Sequence, residues 1–139
     1  MKTSLSNNSV NIILKSLPMM ERIRGPLGSA LGRYTARCGP YDPSAGSDKI
    51  TRGVITDMLF DHAREIAGTR PLIRIEETAR RHRMLGLTAE HYSRFGDGLG
   101  TVMKDVLGAN ASPAVLAAWD DAYWAIVRSV SRQDLLAAA

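Results

Sequence analysis

The apolar residues of this chain recur at three- and four-residue intervals in every long segment, and this periodicity restricts the fold more than any other feature. Such spacing puts apolar side chains on one side of an α-helix. It is clearest in the last two segments, which run from Thr88 to Val106 and from Ser112 to Val130. No segment alternates apolar and polar residues with period two, as a half-buried strand would. The pattern predicts an all-α protein with about six helices and no coiled coil.

Glycine and proline clusters separate the predicted helices. They read RGP at 24–26, CGPYDPSAG at 38–46, AGTRP at 67–71, LGL at 85–87 and GANASP at 108–113. Thr88 and Ser112 are predicted N-caps, and Gly68 and Gly108 stand where helices commonly end. Two shorter helices are predicted over 10–20 and 27–37, with Pro18 straining the first.

The length of 139 residues and the 45% content of apolar residues are sufficient for one domain with a real core. We expect a single domain over 1–139, with a disordered N-terminus at 1–8 and a frayed end at 137–139. The start MKTSLSNNS resembles no signal peptide, and no run of about 18 apolar residues occurs. We therefore expect a cytoplasmic protein that does not bind a membrane.

Two further composition features restrict the chemistry. Cys38 is the only cysteine, so the chain can form neither an internal disulfide nor a thiolate metal cage. The net charge of +4 comes from arginines that are spread along the whole sequence. A basic helical nucleic-acid binder therefore rests on the run ARRHR alone, and we expect no nucleic-acid partner.

His82 lies on the apolar side of a predicted helix over 71–85. The apolar positions Leu72, Ile75 and Ala79 step by three and four residues, and His82 is the next position in that series. Burial beside neighbouring arginines favours a neutral imidazole, which is the form that binds metals. The spacing leaves two interpretations open: a core histidine bonded to a backbone carbonyl, which is the more common case, or a metal ligand.

The runs ARRHRMLGLTAEHYSRFGDGL, MKDVLG and PAVLAAWDDAYWAIV resemble the single-domain bacterial globins and the globin half of flavohaemoglobins. The similarity covers Ile50 to about Val130. It implies a globin fold around haem b, with His82 as the ligand of the haem iron. It also implies that Leu87 packs on the haem edge and that Tyr92 lies near the ligand. Arg81, next to His82, is the residue expected to contact a haem propionate.

The same resemblance assigns the distal side of the haem. Aligning ITRGVITDMLF with the family's distal helix puts Thr51 at the distal polar position and Ile55 one turn later over the haem. Tyr34 in RYTARC stands for the family's distal tyrosine, and Tyr41 replaces its phenylalanine wedge. Threonine offers a shorter hydrogen-bonding group than the usual glutamine or histidine, so weak stabilisation of bound oxygen is implied.

Several other residues are candidates for the haem site and also have a plausible structural role. Three aromatic residues are core residues of any helical bundle and, through the resemblance, candidate haem contacts: Phe95, Trp119 and Tyr123. His62 is interpreted as a core or boundary histidine and His91 as a structural residue. Flavohaemoglobins hydrogen-bond the proximal histidine to a tyrosine and a glutamate, and Asp134 occupies the position of that glutamate. A solvated charge is the alternative for Asp134.

The function implied by the resemblance is reversible binding of oxygen, nitric oxide or carbon monoxide at haem iron. One alternative is nitric oxide dioxygenation, which requires an external reductase as a partner. A second alternative is a haem-free globin module that senses or binds a partner, motivated by the missing phenylalanine wedge. The exposed faces of the last two helices also suggest a homodimer.

Overall fold

The computed structural model describes residues 5–37, 45–68 and 72–138, and the side chains within them except those at 34–37, 45–52 and 134–138. The helices are α1 (Asn7–Arg22), α2 (Arg24–Arg37), α3 (Ala45–Ala67), α4 (Ile75–Met84), α5 (Ala89–Leu107) and α6 (Pro113–Ala138), with a 3-10 turn at Gly108–Asn110. No strand occurs within the described ranges. The prediction of an all-α fold with about six helices is confirmed.

Most of the predicted helix ends are confirmed by their capping contacts. The Thr88 side chain and His91 form a capping box at the start of α5, with the Thr88 N–H donating to His91 Nδ1 over 2.9 Å. The Val115 N–H donates to the Ser112 hydroxyl at the start of α6. Gly86 and Gly108 adopt positive φ angles of 76° and 57° where α4 and α5 end, a conformation that favours glycine.

Helix α1 differs from its prediction. It begins at Asn7, inside the segment expected to be disordered, because the Ser6 hydroxyl accepts the Ser9 N–H and caps the first turn. It also continues through Pro18, which removes one backbone hydrogen bond at a cost of about 3 kcal/mol. Burial of Ile13 and Met20 against α3 and α6 offsets that cost.

The helices enclose one core through contacts between elements distant in sequence. Helix α1 packs on α3 and α6, α2 packs on α3 and α5, and α6 also packs on α4 and α5. Trp119 lies at the centre, where its indole N–H donates to the Ser16 hydroxyl (2.8 Å) and its ring contacts Phe60. Within the described ranges, no helix is long and apolar enough to cross a lipid bilayer.

Candidate functional site

Helix α4 holds His82 on its buried side. The buried residues of this short helix are Ile75, Ala79 and His82, and the His82 side chain is only 3% exposed. The helix begins at Ile75, four residues later than predicted, after a turn in which the Ile75 N–H donates to the Leu72 carbonyl. At its end the Leu87 N–H donates to the His82 carbonyl over 3.1 Å, a turn that Gly86 permits. The prediction that His82 faces the core is confirmed.

A hydrogen bond of 2.6 Å joins His82 Nδ1 to the hydroxyl of Tyr92 on α5. The two rings also stack, with centroids 5.9 Å apart, and Tyr92 is 5% exposed. Tyr123 on α6 fixes Tyr92 in turn, because its hydroxyl donates to the Tyr92 carbonyl over 2.7 Å. Three helices therefore determine the position of one imidazole.

Burial keeps Tyr123 a neutral hydrogen-bond donor. Burial of the hydroxyl, followed by the nearby Tyr92 and Asp97, raises the pKa of Tyr123 far above its ordinary value. The hydroxyl proton is therefore retained over the whole physiological pH range, and the link between α5 and α6 does not titrate there.

Phe95 and Trp124 pack against Tyr123. Together with the residues already described they form a group that we call the proximal cluster: His82, Tyr92, Phe95, Tyr123 and Trp124. The rings of Phe95 and Tyr123 stack with centroids 5.2 Å apart, and Trp124 meets Tyr123 edge-on at the same centroid distance. Gly96 makes this packing possible, since a Cβ atom there would lie 2.4 Å from Trp124 Cζ2 and 2.9 Å from Tyr123 Cε2.

The other predicted site residues fall into three groups. Leu87 is half-buried against the core and Ile55 is fully buried on α3. Arg81 is exposed at the end of α4, beside His82 in sequence. Trp119 contacts Ser16 on α1 and Phe60 on α3.

The residues predicted for the distal side of the haem belong to α2, to α3 or to the segment between these helices. Thr51 and Tyr34 belong to helices α3 and α2, but their side chains lie outside the described part of the structure, as does that of Asp134. Tyr41 and Cys38 lie outside the described residues altogether.

His62 and His91 have structural contacts, as the sequence suggested. His62 is 1% exposed, and its Nδ1 pairs with Glu65 while its Nε2 lies 2.8 Å from the Thr78 hydroxyl. Glu65 also accepts the Ile73 N–H over 3.0 Å. His62 therefore ties α3 to α4 and to the turn before it, whereas His91 belongs to the cap of α5.

Comparison with known proteins identifies the family. A family model described as Globin matches residues 50–130. The chain belongs to the globin family. This globin is 25% identical over 131 residues to a flavohemoprotein of Bacillus subtilis (strain 168), covering 88% of this chain and 32% of the relative. It is also 25% identical over 130 residues to flavohemoprotein B of Dictyostelium discoideum, covering 90% of this chain and 30% of the relative. The chain thus spans about a third of the length of these relatives.

Sequence reasoning missed three residues that shape the site of this globin. Thr78, Gly96 and Trp124 make the contacts described above with His62 and Tyr123. Gly96 gave a usable signal, since a glycine inside a helical pattern often marks a close approach of another element. Thr78 gave none, because its partner His62 lies on another helix, 16 residues earlier in the sequence. Trp124 gave none, because its packing depends on how α5 and α6 cross.

Proposed function

We propose that this globin binds haem b through His82 and that the haem iron reversibly binds a diatomic gas: oxygen, nitric oxide or carbon monoxide. The observation that carries the proposal is the buried imidazole whose Nδ1 is engaged by the Tyr92 hydroxyl. Histidines that bind metals use one ring nitrogen for the metal and the other for such an orienting hydrogen bond. On this proposal, Nε2 is the ring nitrogen that would bind the iron.

The residues around His82 fit a haem group. The donor set is one neutral imidazole, which is the usual proximal ligand of globin haem. We expect Leu87, Phe95 and Ile55 to supply apolar side chains to a porphyrin, and the exposed Arg81 to supply a cation to a propionate. When bound, the haem supplies an iron that binds gas and exchanges one electron.

The distal and outer residues belong to the same proposal. Thr51 and Tyr34 would face the bound gas, and the short threonine hydroxyl would hold oxygen weakly. Trp119 and Tyr123 would support the pocket from the core. Asp134 would accept a hydrogen bond from the Tyr92 hydroxyl, so that Asp134→Asn would change the properties of the iron in the same direction as loss of that hydroxyl.

The test compares two buried histidines. His82→Ala is expected to abolish stable haem binding, or to leave a weakly held haem that added imidazole restores, because the ligand bond is lost. His62→Ala is the matched control, since His62 is equally buried but has Glu65 and Thr78 as partners. It should lower stability and leave the haem spectrum unchanged. An unchanged ferrous spectrum in His82→Ala would remove His82 from the role.

A second candidate function, nitric oxide dioxygenation, is supported by the Tyr92 hydrogen bond. The reaction is NO + O2 + one electron giving nitrate, and a separate reductase has to supply the electron. A proximal ligand that bears partial negative charge favours it, and with the iron on Nε2 the Tyr92 hydroxyl would provide this by accepting a hydrogen bond from the Nδ1 N–H. Repeated nitrate formation with NADH and a flavin reductase would support this activity, and a single turnover only would restrict the protein to gas binding.

A further inference from the structure

A surface cleft lies where the residues leading into α1 meet the outer side of α6. Its volume is about 280 Å³, slightly below the usual range for pockets that hold drug-sized ligands. The residues that line it are Leu5, Ser6, Ser9, Asp121, Trp124 and Arg128. A cleft of this size is suited to one small molecule.

The cleft combines apolar and polar side chains. Leu5 and Trp124 are partly buried against the core, so each leaves part of its apolar surface to the cleft. An indole ring offers a large apolar face on which an aromatic ring can stack. Ser6 and Ser9 contribute hydroxyl groups, which are hydrogen-bonded to each other over 3.1 Å. These side chains favour a ligand that has both an apolar and a polar part.

Two opposite charges flank Trp124 along α6. Asp121 precedes it by three residues and Arg128 follows it by four, so all three lie on one side of the helix. Both charged side chains are exposed, and among the described residues neither forms an ion pair with another side chain. Both charges are therefore available to a ligand.

The spacing of these charges limits the size of the ligand. Seven residues of helix correspond to roughly 10 Å along the axis. Helical side chains lean towards the N-terminus, so the long side chain of Arg128 reaches back over part of this interval, towards Trp124. The shorter gap that is left matches a molecule whose positive and negative groups are close together.

The cleft between α2 and α3 shows the opposite arrangement. It is larger, about 350 Å³, and also contains one basic and one acidic residue, Arg24 and Asp57. These two form an ion pair with each other, and the Arg24 guanidinium also lies 4.9 Å from the centroid of the Phe60 ring. Its charges are therefore satisfied within the protein, and Arg24 serves as a control for the charges beside Trp124.

We propose that the cleft beside Trp124 binds a free α-amino acid with an aromatic side chain. Such a molecule carries an ammonium group for Asp121 and a carboxylate for Arg128 on one carbon atom, and its ring would stack on Trp124. Because exposed ion pairs contribute little free energy, we expect a dissociation constant that is roughly millimolar. The proposal does not depend on haem, since α6 and the residues before α1 form the cleft.

The first experiment compares three probes with the purified protein by saturation-transfer NMR titration. L-Phenylalanine carries both charges, hydrocinnamate lacks the ammonium group and phenethylamine lacks the carboxylate. L-Phenylalanine should bind about fivefold more tightly than either analogue, because each analogue loses one ion pair. Equal affinities for the three probes, or no saturable binding of L-phenylalanine, would overturn the proposal.

The second experiment assigns each charge to one residue. Asp121→Asn should weaken binding of L-phenylalanine by about fivefold without weakening that of hydrocinnamate, which has no ammonium group. Arg128→Gln should have the same effect on L-phenylalanine without weakening binding of phenethylamine. Arg24→Gln is the control and should bind all three probes as the parent does. Binding of L-phenylalanine that is unchanged in both cleft variants would contradict the assignment.

The third experiment locates the bound ring. Trp119 is fully buried, and its indole N–H donates to the Ser16 hydroxyl, so it is the control for Trp124. In protein with isotopically labelled indole groups, L-phenylalanine should shift the NMR signal of Trp124 and leave that of Trp119 in place. The signals are assigned with Trp124→Phe and Trp119→Phe. A shift of the Trp119 signal alone would overturn the proposed site, whereas failure to bind haem would contradict only the proposed function.

Discussion

At the scale of single residues, the hydrogen bond between Tyr92 and His82 is the contact that most affects the chemistry. With Nε2 on a metal, Nδ1 carries the proton, and the Nδ1 N–H donates a hydrogen bond to the Tyr92 hydroxyl. In the proposed haem complex, this bond would fix the orientation of the ring and increase its electron donation to the iron. Because both groups are buried, the bond is shielded from competing water.

Tyr92→Phe tests this bond. The variant is expected to lower the iron–histidine stretching frequency of the ferrous protein and to raise the haem reduction potential, because the imidazole loses partial negative charge. Stability should fall by about 0.5–1.5 kcal/mol. Resonance Raman spectroscopy and a redox titration measure the first two quantities. Trp119→Phe should leave both unchanged, and equal shifts in the two variants would show that the effect is not specific to the hydrogen bond.

At the scale of the helices, the crossing of α5 and α6 depends on one small residue. The backbone of α5 at Gly96 lies against the rings of Tyr123 and Trp124, with no room for a methyl group. Gly100, one turn later on the same helix, faces open space, since no side chain or other helix of the described residues comes within 4 Å of where its Cβ atom would lie. The two glycines are thus a matched pair in one helix.

Gly96→Ala is expected to destabilise the protein by about 1–3 kcal/mol, since the rings have to move to accept the methyl group. Gly100→Ala should instead stabilise it by roughly 0.5–1 kcal/mol, because alanine loses less conformational entropy in a helix. Thermal unfolding of both variants measures the difference. A stabilising effect of alanine at both positions would contradict the close crossing.

The helices also show how far the sequence could predict the structure. Periodicity predicted the helices, the burial of His82 and the N-caps Thr88 and Ser112, because each depends on neighbours within a few residues. It could not predict that α1 would tolerate Pro18, since that depends on burial against α3 and α6. The orienting contact of His82 came from a family resemblance, because no local rule pairs residues ten apart on different helices.

At the scale of the whole molecule, the buried hydroxyl of Tyr123 couples stability to alkaline pH. Because burial raises the pKa of Tyr123, the folded chain keeps a proton that the unfolded chain loses above its ordinary value of 10.0. The contribution to stability is present below that pH and is lost as the pH rises above it. Tyr123→Phe removes both the titration and the hydrogen bond to Tyr92.

Tyr123→Phe is therefore expected to be less stable than the parent by about 0.5–1.5 kcal/mol near neutral pH. The difference should shrink as the pH rises above 10.0, because only the parent bears the cost of keeping this phenol protonated. Urea unfolding at several pH values measures it. A difference that stays constant up to pH values well above 10.0 would show that Tyr123 ionises normally in the folded chain.

The most direct test of the central claim is the absorption spectrum of the purified protein in its ferric, ferrous and carbonyl forms, recorded for the parent and for His82→Ala. We predict a Soret band in the parent that shifts on reduction and again on adding carbon monoxide, as expected for haem iron with one histidine ligand and an exchangeable site. His82→Ala should lose this band or recover it with imidazole. A parent that takes up no haem when haem is supplied would contradict the account and favour a haem-free globin module.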